Sequence, residues 1–231
     1  MPPQRVALIP ARGGSKRIPR KNIRDFLGTP ILERVVQAVL ASETVDRVIV
    51  STDDQEIAEV ARASGAEAPF RRPDALSDAY TGARPVIQHA IRQLALEQQD
   101  LLGVVYPTAV FATPVDLRNS LDLFEENKSQ FLISVTEMPA PIERTLRLND
   151  QGRVSPVSAE GIQMRSQDLP NGYYDTGQFY WGACKSWCGD SPVVKADSVG
   201  YVLPSWRVVD IDTPADWTRA ELLYRALHDL K

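Results

Sequence analysis

The chain has 231 residues, 43% hydrophobic and 24% charged, which is the balance of a folded protein with a buried core. That excludes a disordered, collagen-like or disulfide-stapled chain. With 26 Lys and Arg against 30 Asp and Glu the formal net charge is −4, so no global charge excess points to nucleic acid. Cys184 and Cys188 are too few for a disulfide framework and make at most half a zinc site. His89 and His228 both fall on helical patterns, which argues against histidine-centred catalysis. No apolar run reaches the roughly 18 residues of a membrane span. The short run at residues 6–9 precedes a basic loop, the reverse of a secretory signal, so the expected location is cytoplasmic.

Residues 5–9 read as a first strand. Residues 30–40 read as a helix, with Pro30 at its start and Ile31, Leu32, Val35, Val36, Val39 and Leu40 on one face. Residues 47–50 form the next strand. Thr52 or Asp53 then caps a helix carrying Ile57, Val60 and Ala61, which Gly65 ends. A helix follows at 85–96, a strand at 101–106, a helix at 114–126 and a strand at 131–135. These strands are continuous apolar runs rather than alternating ones, which predicts a mostly parallel sheet buried on both faces in an α/β fold.

The alternation breaks at 137–176, where Pro139, Pro141, Pro156 and Pro170 exclude a clean helix. A stretch this long is more than an inert loop, and it reads as an excursion from a single domain spanning 1–231. Leu146, Leu148 and Val154 flank the turn-like Asn149-Asp150-Gln151-Gly152, which predicts a hairpin. The main fold resumes with strands at 178–181, 200–203 and 207–211. A last helix starts at Thr213-Pro214 and carries Trp217, Leu222, Leu223, Ala226 and Leu227.

The most informative stretch is residues 9–22, Ile-Pro-Ala-Arg-Gly-Gly-Ser-Lys-Arg-Ile-Pro-Arg-Lys-Asn. Arg12, Lys16, Arg17, Arg20, Lys21 and Arg24 come after a buried strand, with no acidic residue among them. Gly13 and Gly14 let backbone approach a ligand, and free N–H groups with Arg and Lys cradle phosphates. It is neither a Walker A loop nor G-x-G-x-x-G. A solvated basic loop is the bland alternative.

Asp210-Ile211-Asp212 is the second feature. In an extended chain residues two apart share a side, so both carboxylates face one point while Ile211 turns to the core. Two such donors suit Mg²⁺, which completes its shell with water and phosphate. The alternative is a pair of turn and cap carboxylates. A phosphate cradle and a carboxylate pair together make the equipment for phosphoryl or nucleotidyl transfer.

Residues 9–22 resemble the signature of the cytidylyltransferases that activate sialic-type (nonulosonic) acids. Further matching blocks are Ser51-Thr52-Asp53-Asp54, residues 70–78 (Phe-Arg-Arg-Pro-Asp-Ala-Leu-Ser-Asp), Tyr106-Pro107-Thr108 and Asp210-Ile211-Asp212, so the resemblance spans nearly the whole chain. Residues 165–170 (Arg-Ser-Gln-Asp-Leu-Pro) and 174–180 (Tyr-Asp-Thr-Gly-Gln-Phe-Tyr) look most like the branch acting on pseudaminic acid. Relatives acting on N-acetylneuraminate commonly read Gln-Pro-Thr-Ser-Pro-Leu-Arg where this chain has Tyr106-Pro107-Thr108-Ala109-Val110-Phe111-Ala112.

The resemblance implies a three-layer, Rossmann-like fold of the nucleotide-diphospho-sugar transferase type. It also implies CTP as donor, Mg²⁺, and a homodimer in which the excursion crosses to the partner. Ala11, Arg12, Gly13, Gly14, Ser15, Lys16 and Lys21 would hold the nucleotide phosphates, with Arg12, Lys21, Asp210 and Asp212 as the catalytic set. Asn22 would position the nucleoside, and Arg71 or Arg72 would contact the base. Asp210 and Asp212 would bind the metal. Arg165 would grip the sugar carboxylate, beside Gln167 and Asp168, with Tyr106, Tyr174 and Gln178 as further sugar contacts; an exposed or subunit-bridging ion pair is the alternative for Arg165. Tyr180 is a further, weaker candidate for the sugar, although Phe179, Tyr180 and Trp181 read first as core aromatics. Rival acids are N-acetylneuraminate, legionaminate and Kdo. From another class comes a non-catalytic nucleotide-binding module, against which the intact Arg12, Lys21, Asp210 and Asp212 set argues.

Overall fold

In the computed structural model, which describes residues 3–228, the strands in chain order are β1 (Arg5–Pro10), β2 (Arg47–Ser51), β3 (Leu101–Val105), β4 (Phe131–Glu137), β5 (Leu146–Leu148), β6 (Val154–Pro156), β7 (Tyr173–Ala183) and β8 (Val199–Leu203). The helices are α1 (Ile31–Ser42), α2 (Gln55–Ala63), α3 (Ala83–Gln93), α4 (Pro114–Asn127), α5 (Cys184–Cys188) and α6 (Pro214–His228). Six strands form one sheet in the order β2-β1-β3-β7-β4-β8, with β7 alone antiparallel to its neighbours.

The continuous apolar runs have a physical cause. Ala7 and Ile9 of β1 pack with α1, α2 and α4 on one face, whereas Val6 and Leu8 pack with α3 and α5 on the other. Helices on both faces make the three expected layers. Helix starts carry their caps. Thr113 and Asp116 form a reciprocal capping box with Pro114 at the first helical position of α4. The cap of α2 is Asp54, whose carboxylate accepts the Ile57 N–H at 3.0 Å, rather than Thr52 or Asp53. Thr52 instead accepts the Asp54 N–H, and Asp53 turns away toward the basic loop.

Two expected strands differ. Residues 178–181 are the middle of β7, interrupted by a bulge at Gly177 (φ 61°) where the register against β4 shifts. Residues 207–211 do not join the sheet. The chain leaves β8 at Pro204, which has no N–H for a ladder, makes a turn at Ser205–Arg207, and then runs with Val208, Val209 and Ile211 buried. Burial made this segment look like a strand, although its apolar residues pack against side chains rather than pair with backbone.

The excursion joins β4 to β7 and contains the predicted hairpin, β5 paired antiparallel with β6. Its mouth is pinned where Glu137 pairs with Tyr173 and the Met138 N–H donates to the Gly172 carbonyl at 2.8 Å. Ile142, Leu146, Leu148, Val154 and Met164 stand exposed on it. Among the described residues no helix is long and apolar enough to cross a membrane.

Candidate active site

The basic loop starts where β1 ends. Buried Ala11 donates its N–H to the Ser51 carbonyl of β2 at 2.9 Å, carrying the chain past the sheet edge. Behind the loop lies the turn after β2. The Gly13 N–H donates to Asp53 Oδ1 at 3.0 Å, and a Cβ on Gly13 would lie 2.7 Å from Asp54 Oδ2. Close approach therefore demands glycine at 13, while a Cβ on Gly14 would meet open space. Arg20, in the left-handed region with φ 56°, pairs with Asp54 and Glu56. The hydrogen bond from Arg20 holds the Asp54 carboxyl below its ordinary range against the opposing effect of burial. Buried Asn22 donates Nδ2 to the Arg12 carbonyl at 2.9 Å and closes the loop on itself.

Arg12, Ser15, Lys16, Arg17, Lys21 and Asn22 line a cleft of about 410 Å³ at the carboxyl ends of β1 and β3. This is where open α/β sheets hold their ligands. Asp210 and Asp212 line the same cleft, with Ile211 fully buried between them, as the alternation of an extended chain requires. Lys21 ties the two features together: its Nζ donates to the Ile211 carbonyl at 2.7 Å and lies 3.2 Å from Asp212 Oδ1. Arg17 pairs with Asp212 Oδ2 at 2.8 Å. Burial, and then the Asp212 charge, push the Asp210 carboxyl up, with Lys21 opposing. Among the described residues the Asp210 carboxylate has no ion-pair partner.

The pair's position is set from both sides. Asp216, at the start of α6, accepts the Thr213 N–H at 2.8 Å and the Asp212 N–H at 3.2 Å. On the other side Arg207 makes a two-pronged bond to Asp116 of α4, at 2.7 and 2.9 Å, and donates to the Phe111 carbonyl at 3.0 Å. Burial works to raise the Asp116 carboxyl, but the hydrogen bonds from Arg207 and Thr113 outweigh it and hold it low.

Of the residues expected to act, the cleft brings together Arg12, Ser15, Lys16, Lys21, Asn22, Arg72, Tyr106, Asp210 and Asp212. Ala11, Gly13 and Gly14 frame the loop without lining the cleft. Arg72 and Arg71 part company. Arg72 is buried, donates to the Ser51 carbonyl at 2.7 Å and leaves its Nε without a partner; burial lowers its pKa. Arg71 is exposed beside a separate hollow. Arg165 and Asp168 pair with each other at 2.7 Å on the surface of the excursion, with Gln167 exposed between them, outside the cleft. Tyr174 is exposed. Gln178 is 3% exposed, absent from the cleft lining, and neither amide atom has a partner.

Two contributors were not expected from the sequence, the start of α3 and Gly177, and a third, Tyr180, was expected first as core. Thr81, Gly82 and Ala83 line the cleft as the uncapped first turn of α3, whose start was expected at Pro85; Gly82 offers no capping side chain to signal it. A bare helix N-terminus favours anions. Gly177 enters through the β7 bulge. Tyr180 packs against the core with one side and lines the cleft with the other, its ring edge-on to Tyr106 with centroids 6.0 Å apart and its hydroxyl donating to Asp175 at 2.7 Å. Burial and Asp175 keep that phenol protonated. Phe179 and Trp181 are core, as expected.

The chain belongs to the cytidylyltransferase family, whose model matches residues 6–198. It is 42% identical over 226 residues, 97% of each chain, to the pseudaminic acid cytidylyltransferase of Campylobacter jejuni. It is 29% identical to the CMP-N,N'-diacetyllegionaminic acid synthase of Legionella pneumophila, covering 94% of this chain and 95% of that one. The solved structure of CMP:2-keto-3-deoxy-manno-octonic acid synthetase complexed with CTP shares the fold, with a TM-score of 0.72 at 18% identity, over 97% of this chain and 99% of that one.

Proposed function

We propose that this chain transfers a cytidylyl group from CTP to the anomeric hydroxyl of a nonulosonic acid, pseudaminic acid before its relatives, and releases pyrophosphate. The observation that carries the reading is the convergence in one cleft of the cationic loop and the Asp210–Asp212 pair, joined by Lys21. Family membership and the 42% identity support the substrates.

Arg12, Ser15 and Lys16 bind the triphosphate, and the α3 N-terminus adds backbone donors. Arg72 is the base contact favoured over Arg71, since it alone lines the cleft and keeps a buried donor free. The hydroxyl oxygen attacks the α-phosphorus in line and gives up its proton to solvent water. The bond from that phosphorus to the bridging oxygen breaks, and pyrophosphate departs with its electrons. Lys21 and Arg12 stabilise the charge that grows on the phosphoryl oxygens. Asp210 and Asp212 would hold Mg²⁺. The donor set fits it: two carboxylates, one of them raised by burial and then by its neighbour and without an ion-pair partner, and no third protein ligand among the described residues, leaving positions for phosphate and water. When bound, the ion supplies polarisation of the phosphoryl oxygens.

Arg165 lies outside its own chain's cleft on a lobe with exposed apolar side chains. That supports a homodimer in which a second copy brings Arg165 to the sugar carboxylate. Light scattering should give twice the chain mass, and a monomer with full activity would remove this part of the reading. The decisive assay is pyrophosphate release from CTP and Mg²⁺ with pseudaminic, N-acetylneuraminic, legionaminic and Kdo acids. Release with pseudaminic acid above the others is expected. Preference for another acid overturns the substrate, and no release with any acid overturns the reading.

A further inference from the structure

The turn after β2 contributes two carboxylates, and neither Asp53 nor Asp54 lines the cleft. They lie on the far side of the basic loop, beside a separate hollow. From there they grip the loop at two points. Asp53 accepts the Gly13 N–H near its start, and Asp54 takes the Arg20 guanidinium in two hydrogen bonds near its end. Between those points stand Ser15, Lys16 and Arg17, which face the cleft.

Two further features make the grip specific. The loop backbone rests on Asp54 closely enough that only glycine fits at 13. Arg20 is held at φ 56°, a conformation that non-glycine residues adopt rarely and keep only where surroundings enforce it. A loop dense in cations spreads by self-repulsion. The carboxylates of Asp53, Asp54 and Glu56 behind it, none of which lines the cleft, oppose that spreading.

We propose that Asp54 and Asp53 are positioning residues for the phosphate loop, acting through Arg20 and the Gly13 N–H to pre-form the site for the nucleotide's phosphates. The inference rests on the reading of the cleft as a CTP site. Asp54 also caps α2, so its removal alone confuses two roles; Asp54→Asn keeps a cap-competent side chain and loses the charge. Arg20→Met leaves the cap untouched.

The test is a double-mutant cycle on Asp54→Asn and Arg20→Met, read as KM for CTP, KM for the sugar acid, kcat and Tm. Each single variant should raise KM for CTP on the order of tenfold, and the double variant should be no worse than either, as contacting pairs behave. KM for the sugar acid and Tm should stay near wild type. An unchanged KM for CTP, additive losses, or equal losses in both KM values together with Tm would overturn the proposal. If the wild-type protein neither binds CTP nor releases pyrophosphate, the underlying reading fails instead, and the two failures are distinct.

Discussion

Replacing Arg207 tests what holds the segment that carries the aspartate pair. Arg207 and Asp116 retain only 15% and 7% of their side-chain exposure, so their bond is buried rather than screened by solvent. Arg207→Met fills similar space and leaves the Asp116 carboxylate with its hydrogen bonds from Thr113 and a long one, 3.4 Å, from the Tyr201 hydroxyl. Breaking a buried pair by removing one partner costs about 3–5 kcal/mol, and the surviving Thr113 bonds put this case near ~3. For a chain of this size that lowers Tm by roughly 6–12 °C. A pH series on Asp116→Asn gives the sign. The folded carboxyl lies below its unfolded value of about 3.9, so its contribution is complete well above that value and is lost as pH falls through the folded one. In urea titrations the gap between wild type and Asp116→Asn should be full at neutral pH and close in acid. A Tm for Arg207→Met within about 1 °C of wild type would refute the reasoning, since that is the yield of a surface pair.

Asp210→Asn and Asp212→Asn should each nearly abolish pyrophosphate release while far-ultraviolet circular dichroism stays native; a wild-type rate in either removes the metal assignment. Lys21→Ala should lower kcat/KM on the order of a hundredfold, the effect of losing one charge at a developing oxyanion. Retained efficiency would place Lys21 outside the reaction. Arg165→Lys should raise KM for the sugar acid more than KM for CTP, and equal rises would point to a structural role.

Much of the fold was legible because burial on both sheet faces writes itself as unbroken apolar runs, and because Pro30 and Thr213-Pro214 announce their helices. The direction of β7 was not. Apolar content is the same for parallel and antiparallel strands, and the bulge at Gly177 hides the first half of the strand among polar residues. Residues 207–211 misled for a related reason, since buried side chains there pack against α6 and the main core without a ladder. At the candidate site, spacing alone predicted that Asp210 and Asp212 flank a buried Ile211. The choice between Arg72 and Arg71 is not written in the sequence, because adjacent residues leave an extended chain on opposite sides and nothing in the pair tells which side faces the cleft. The grip of Asp53 and Asp54 on the loop joins residues about forty apart, beyond any local pattern.

Because β4 and β7 are neighbours running in opposite directions, the whole excursion is, topologically, an overgrown hairpin connection. Its ends meet at Glu137 and Tyr173 whatever lies between them. Closing a longer loop there adds only about 0.6 kcal/mol per doubling of its length. The lobe is thus joined to the sheet at a single neck, and a swap of the excursion for a relative's at that neck should leave the strand registers of the sheet as they are. The nucleotide cleft, to which residues 138–172 contribute no lining, would stay constant while the lobe is free to diversify.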